Sequence, residues 1–218
     1  MADLVISPDE GGGPRVRGLS GNGFGQVADF FGIEDTAFRG GARSAIADLN
    51  GDGVGDLLVA AGFGGGPRVA AFDGAALGPN GGPKLFGDFL AFEAALRNGV
   101  FIAGGDVNGD GFADLVTGAG PGGGPRVRAF DGKALVQGGA QADAANFFGG
   151  DTANRGGIRV AAKDLDGDGR ADILAGAGPG GGSRVTAYRG SSVTPNGTPD
   201  QLFAFDAQAG FSGGVFVG

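Results

Sequence analysis

Three stretches of the chain set hard oxygen ligands at alternate positions. They read DLNGDGVGD from Asp48 to Asp56, DVNGDGFAD from Asp106 to Asp114 and DLDGDGRAD from Asp164 to Asp172. The shared pattern is D-x-N/D-x-D-G-x-x-D, in which carboxylate or amide oxygens can wrap one cation while a glycine (Gly53, Gly111, Gly169) permits the bend. Candidate ligands are Asp48, Asn50, Asp52 and Asp56, then Asp106, Asn108, Asp110 and Asp114, then Asp164, Asp166, Asp168 and Asp172. The seventh-position carbonyls of Val54, Phe112 and Arg170 complete the three sets. Such an all-oxygen set suits calcium, one ion per loop and three per chain. Magnesium prefers a smaller octahedral site with more water, and zinc asks for imidazole or thiolate, which a chain with no His and no Cys cannot supply. An EF-hand starts similarly but needs Glu at position 12, where this chain has Val59, Thr117 and Ala175. One isolated copy would be an ordinary Asp/Asn/Gly turn; three copies, each ending in a ninth-position Asp, are not explained that way.

The loops recur 58 residues apart, so the chain is a repeat protein and each unit must position one loop. A full unit holds four short apolar runs bounded by Gly, Pro, Asn or Asp: GVFIAGGD, ADLVTGAG, PRVRAFDG and a Phe-rich segment such as FFG or FLAF. Their length and punctuation predict strands, and only Phe92 to Leu96 offers as much as one helical turn. Linkers vary at Ala75 to Lys84 and Ser191 to Pro199, as surface turns do. The expected architecture is all-β, with four-stranded antiparallel blades arranged radially as a β-propeller. Unit boundaries fall near 1–40, 41–98, 99–156 and 157–213 within a single domain 1–218.

Composition narrows the function. The 218 residues carry a net charge of −8, and ten carboxylates lie in the three loops, so three divalent cations would bring −8 to −2. An acidic chain without a basic tract is a poor ligand for nucleic acid or anionic membrane, and neither partner is expected. With no His, no Cys and the clustered acids assigned to metal loops, no catalytic constellation remains, and no enzyme is expected. The 52 glycines recur at fixed places in each unit, where turns need them, and not at every third position as in collagen.

At these residues the chain resembles the FG-GAP (VCBS-type) repeats, the calcium-binding blades of integrin α-subunit propellers and of many secreted bacterial proteins. The resemblance rests on DLNGDGVGDLLVAAG, DVNGDGFADLVTGAG and DLDGDGRADILAGAG and covers nearly the whole chain. It implies that the Asp loop joins the first and second strands of a blade, with GVFIAGGD innermost and the Phe-rich run outermost. It also implies an extracellular or periplasmic setting, although no signal peptide is present. Two departures stand out: Gly-Ala-Pro is replaced by Gly-Ala-Gly-Pro at Gly118 to Pro121, and about four units stand where integrin propellers have seven. The functional expectation is a calcium-binding scaffold or interaction module with an unknown protein or glycan ligand. The alternative is a calcium-dependent carbohydrate-binding or adhesion module, which the use of 18 Phe and no Trp weakens.

Other features have structural readings. Gly118-x-Gly120-x-x-Gly123 and Gly176-x-Gly178-x-x-Gly181 match a dinucleotide fingerprint, but they lead into strands and not into a helix N-terminus, so they read as inter-strand turns. The recurring Arg15, Arg68, Arg126 and Arg184 are expected to pair with carboxylates or carbonyls of the neighbouring blade, with a ring of ligand sites as the other reading. The chain opens in the middle of a repeat, as an excised segment would. Residues 214–218 match the innermost strand at Gly99 to Ala103, while Met1 to Leu4 match Phe112 to Leu115 at the start of a second strand. The C-terminal strand is therefore expected to complete the first blade. Within one chain this gives the favoured monomer; between two it gives a strand-exchanged homodimer.

Overall fold

The computed structural model describes residues 2–218, and the matching of Met1 to Phe112 lies outside them. The fold is all-β, built of antiparallel sheets whose strands follow chain order. The first sheet has three strands, β1 (Leu4–Ile6), β2 (Arg15–Leu19) and β3 (Gln26–Phe31). The second has four, β4 (Ala42–Ala47), β5 (Asp56–Ala61), β6 (Arg68–Phe72) and the two-residue β7 (Phe89–Leu90). The third comprises β8 (Val100–Gly105), β9 (Asp114–Ala119), β10 (Arg126–Phe130) and β11 (Asp143–Phe148), with helix α1 (Gly132–Gly138) inserted before its last strand. The fourth comprises β12 (Ile158–Lys163), β13 (Asp172–Ala177), β14 (Arg184–Tyr188) and β15 (Gln201–Asp206).

Most of the apolar runs become strands of five or six residues between glycine turns, and the central ones are buried on both faces. All six residues of β5 and of β9 are buried. This two-sided burial comes from sheets stacked against one another. Leu58, Ala60 and Val69 of the second sheet meet Val100, Ile102 and Leu115 of the third. Phe101, Val116 and Val127 of the third meet Ile158, Val160 and Ile173 of the fourth. Val16 of the first sheet meets Leu57 and Val59 of the second. The first strands β4, β8 and β12 run side by side, so successive sheets share one inner edge.

A glycine sets each entry to that inner edge. Gly41, Gly99, Gly157 and Gly214 have φ of 73°, 72°, 71° and 80°, the left-handed region that a side chain disfavours. A Cβ there would also collide with the main chain of the preceding sheet, at Pro8, Ala61, Ala119 and Ala177 respectively. Across the same joints Gly41, Gly99 and Gly157 donate their N–H to the carbonyls of Gly12, Gly65 and Gly123 at 3.0, 3.1 and 3.3 Å.

Two expectations are corrected here. The stretch after β10 forms a helix, α1, because the Asp131 side chain accepts the N–H of Ala134 at its start and Gly139, at φ 66°, closes its end. Phe92 to Leu96 instead makes a single tight turn, with the Leu96 N–H donated to the Glu93 carbonyl at 2.9 Å. The ladder expected between 214–218 and β1 is not formed among the described residues: β1 pairs with β2 alone. The segment enters as an inner strand does, through Gly214. Its Val215 N–H goes to Ala177 O of the fourth sheet at 2.9 Å, and the Phe216 ring stands edge-on to Phe101 at 5.9 Å. These contacts hold it to β13 and β8 and not along β1.

Candidate metal centre

Each Asp loop connects the first and second strands of its sheet and is organised by its own carboxylates. Asp48 accepts the N–H of Gly51, Asp52 and Gly53 at 2.8, 3.1 and 2.8 Å. Asp106 does the same for Gly109, Asp110 and Gly111 at 2.6, 3.1 and 2.8 Å. Asp164 accepts from Gly167 and Gly169 at 2.7 and 3.0 Å. Asn50 and Asn108 cap the N–H two residues on, at 2.9 and 3.0 Å. The loop is thus curled around its first residue before any ion is considered, a preorganisation that places oxygens inward.

The ninth-position acids are fully buried. Asp56 accepts from Leu49 N–H at 2.8 Å and Asn50 N–H at 3.3 Å on one oxygen, and from Gly74 N–H at 2.9 Å on the other. Asp114 repeats this with Val107, Asn108 and Gly132 at 3.0, 3.2 and 3.0 Å. Asp172 takes Leu165 and Gly190 at 2.9 and 2.8 Å. Each is a clasp that ties the loop to the main chain just beyond the third strand. Burial pushes the Asp56 carboxyl up, against the pull of its three N–H partners. It pushes Asp114 up to about 7, with nearby Asp131 adding to the effect.

In the third loop the oxygens of Asp164, Asp166 and Asp172 lie within 4.8 Å of one another, the one acidic triad so arranged among the described residues. The first and second loops carry Asn50 and Asn108 at the position of Asp166, so two carboxylates and an amide stand where the third loop has three carboxylates. Fifth-position acids are turned to local work. Asp52, Asp110 and Asp168 accept the N–H of Val54, Phe112 and Arg170 at 2.8, 3.0 and 2.9 Å. The Arg170 N–H, followed by Ser191, draws the Asp168 carboxyl below its ordinary range. The carbonyls of Val54, Phe112 and Arg170 accept no main-chain hydrogen bond among the described residues outside the strands. Three carboxylate oxygens converging within 4.8 Å fit a hard divalent cation.

Sequence reasoning missed three contributors. The main-chain N–H groups of Gly74, Gly132 and Gly190 hold the ninth Asp, and their signal was the D/R-G pair ending each third strand. Arg189 forms an ion pair with Asp166 in the third loop, where the other units have Asp73 and Asp131, while Lys133 lies 4.0 Å from Asp110 in the second. The loops also touch each other: Ala113 N–H bonds Asp48 O at 2.8 Å, and Ala171 N–H bonds Asp106 O at 2.7 Å.

The glycine clusters after β5, β9 and β13 are turns closed by Gly65, Gly123 and Gly181 N–H on Gly62, Gly120 and Gly178 O at 3.1, 3.1 and 2.9 Å. The recurring arginines are structural, but mostly within their own sheet. Arg15 and Arg17 share Asp29, Arg68 lies 3.8 Å from Asp88, and Arg184 lies 3.5 Å from Asp206. Arg126 alone of the four reaches the preceding unit, at Glu93, 2.8 Å away. Antiparallel register explains this, since it sets the outer strand's acids opposite or diagonal to the third strand's arginines.

The model of the FG-GAP-like repeat matches residues 106–175. A search of curated proteins gives no match. Among solved structures the chain is similar to the exotype rhamnogalacturonan lyase YesX, at 15% identity and a TM-score of 0.52, covering 95% of this chain and 38% of that one. It is also similar to the Bacillus licheniformis rhamnogalacturonan lyase PL11, at 14% identity and a TM-score of 0.50, covering 90% and 42%. The chain therefore spans about two fifths of the length of these structures, and at such identity the likeness concerns the fold alone. Residues 106–175, with their curled Asp loop, glycine turn and antiparallel strands, are an FG-GAP-like repeat.

Proposed function

We propose that the chain is a calcium-binding β-propeller module that serves as a scaffold or interaction surface and catalyses no reaction. The observation that carries this reading is the convergence of Asp164, Asp166 and Asp172 within 4.8 Å, on a loop repeated at 58-residue intervals. Asp48, Asn50, Asp52, Asp56 and the Val54 carbonyl would hold one ion. Asp106, Asn108, Asp110, Asp114 and the Phe112 carbonyl would hold a second, and Asp164, Asp166, Asp168, Asp172 and the Arg170 carbonyl a third. The ion would supply charge balance for buried carboxylates and lock the first strand of each sheet to the second. Sheets sharing one inner edge support the radial arrangement, and the setting proposed from the repeat family is extracellular or periplasmic.

Calcium titration by calorimetry should find three ions per chain. At ten times the dissociation constant each site adds roughly 1.4 kcal/mol, so three add about 4 kcal/mol against a typical total of 5–15. Chelation should therefore lower Tm markedly; an unchanged melt, or no bound calcium, defeats the proposal. Solution mass near 21 kDa gives the monomer, and twice that gives a homodimer.

A further inference from the structure

Among the described residues, two arginines on the inner edge lack the carboxylate partners that Arg15, Arg68, Arg126 and Arg184 have. Arg43 of β4 and Arg159 of β12 line a cleft of about 660 Å³, together with Ser7, Ser44, Phe101 and Phe216. Aligning the units shows why these side chains meet. Arg43, Phe101, Arg159 and Phe216 each stand two residues after an entry glycine (Gly41, Gly99, Gly157, Gly214), so all four occupy one position of the repeat. Around the inner edge that position reads cation, ring, cation, ring.

The contacts follow this order. The Arg43 guanidinium carbon lies 3.8 Å from the Phe101 centroid, and that of Arg159 lies 5.0 Å from Phe101 and 4.8 Å from Phe216. Arg159 is 7% exposed, its Nε has no hydrogen-bond partner, and its Nη1 makes one long bond of 3.4 Å to Ala177 O. Arg43 Nη1 is likewise buried without a partner. Asp9 and Glu10 also line the cleft, but among the described residues no ion pair joins either of them to Arg43 or Arg159. Arg128 shows what a structural arginine does in this fold: its Nε meets Asp143 at 2.9 Å and its Nη1 meets Ala91 O at 2.7 Å. Burial, with the charge of Arg159 adding to it and that of Asp9 opposing, lowers the Arg43 pKa to about 10. A buried guanidinium at Arg159 and a half-buried one at Arg43, each with an unpartnered N–H and each lying over an aromatic ring, are a receptor for a planar or tetrahedral oxyanion.

We propose that this cleft binds a small oxyanion-bearing ligand, bridged by Arg43 and Arg159 over the Phe101 ring, with Ser7 and Ser44 beside it. The Ser7 and Ser44 hydroxyls, 3.1 Å apart, supply neutral polar contacts at the rim. The chemistry is shared by carboxylates and by sulfate-type anions, and the test separates them. The site is independent of the Asp loops, so the experiment is run in saturating calcium and its outcome does not depend on the metal proposal.

Thermal melts and calorimetry would use sodium succinate and sodium sulfate against sodium chloride of equal ionic strength. At least one of the two anions should raise Tm and show saturable binding: succinate alone assigns a carboxylate ligand, sulfate alone a sulfate-type one, and both a general oxyanion site. Arg43→Met and Arg159→Met should each weaken that binding at least tenfold. In anion-free buffer both should leave Tm equal or higher, because an unpaired buried charge is removed. Phe216→Ala, at an exposed ring, should leave the anion-free melt unchanged and weaken binding several-fold. The proposal is overturned if neither anion binds beyond chloride, if binding survives in the Arg43→Met/Arg159→Met double variant, or if the single variants lower Tm in anion-free buffer, which marks a purely structural role.

Discussion

Replacing Asp56 separates its two roles, as clasp and as metal ligand. In Asp56→Ala, the N–H groups of Leu49, Asn50 and Gly74 lose their acceptor at a site with no exposure. Each buried donor left unsatisfied costs about 1–3 kcal/mol. The 3.3 Å bond from Asn50 is the weakest and that residue is only half-buried, so the sum is about 3–6 kcal/mol. Offsetting this, the buried charge and its raised pKa disappear. Asp56→Asn is milder: its one acceptor oxygen serves the loop N–H groups, while its amide faces Gly74 N–H donor to donor, a loss of about 1–3 kcal/mol. Urea unfolding in excess chelator is the assay. With a slope of about 1–3 kcal/mol per molar, the alanine midpoint should fall by a molar unit or more and the asparagine midpoint by less. If both match the parent protein in chelator and differ only in calcium, Asp56 is a ligand alone and the clasp argument fails.

Arg189→Ala frees Asp166 from its ion pair, and since a partly exposed pair is worth about 0.2–1 kcal/mol, calcium affinity at the third loop should rise about 1.4- to five-fold in calorimetry. The metal-free protein should lose stability as pH rises. Asp114, held near 7 when folded but about 3.9 unfolded, binds a proton preferentially in the folded state between those values, so its contribution is full below pH 4 and gone above pH 7. Calcium displaces that proton, and melts at pH 5 and pH 8 with and without calcium should therefore show opposite trends. Gly157→Ala forces a side chain into φ 71° and onto the Ala119 carbonyl; a loss of more than about 1 kcal/mol is expected, and an unchanged denaturation midpoint contradicts the close approach.

Much of the fold was legible because the repeat multiplies each signal. Any one of the runs ADLVTGAG, DLLVAAG or DILAGAG is an ambiguous apolar stretch, but three at constant distance from an Asp loop fix β5, β9 and β13. The loops were legible for the same reason. Helix α1 was not: GKALVQG is too short for periodicity, and its real markers, Asp131 before it and Gly139 after it, resemble the turn residues found everywhere in this chain. The clasp on the ninth Asp was invisible because its partners are main-chain N–H groups, which no residue type announces. The inner ring was hidden by the repeat itself, since Arg43, Phe101, Arg159 and Phe216 share a position but not a side chain.

The joints between units have a consequence for how such a chain grows. At Gly41, Gly99 and Gly157 the main chain of one sheet meets that of the sheet before it, with N–H to carbonyl bonds, beside the packed side chains of the core. Backbone contacts at these points carry no label of which unit they join. A duplicated 58-residue segment would meet its neighbour with the same donors and acceptors as the original, so the gene can lengthen by copying without redesigning a seam. Selection is then free to act where the copies already differ, on the linkers at 75–84, 133–142 and 190–200 and on the inner-edge position that alternates arginine and phenylalanine.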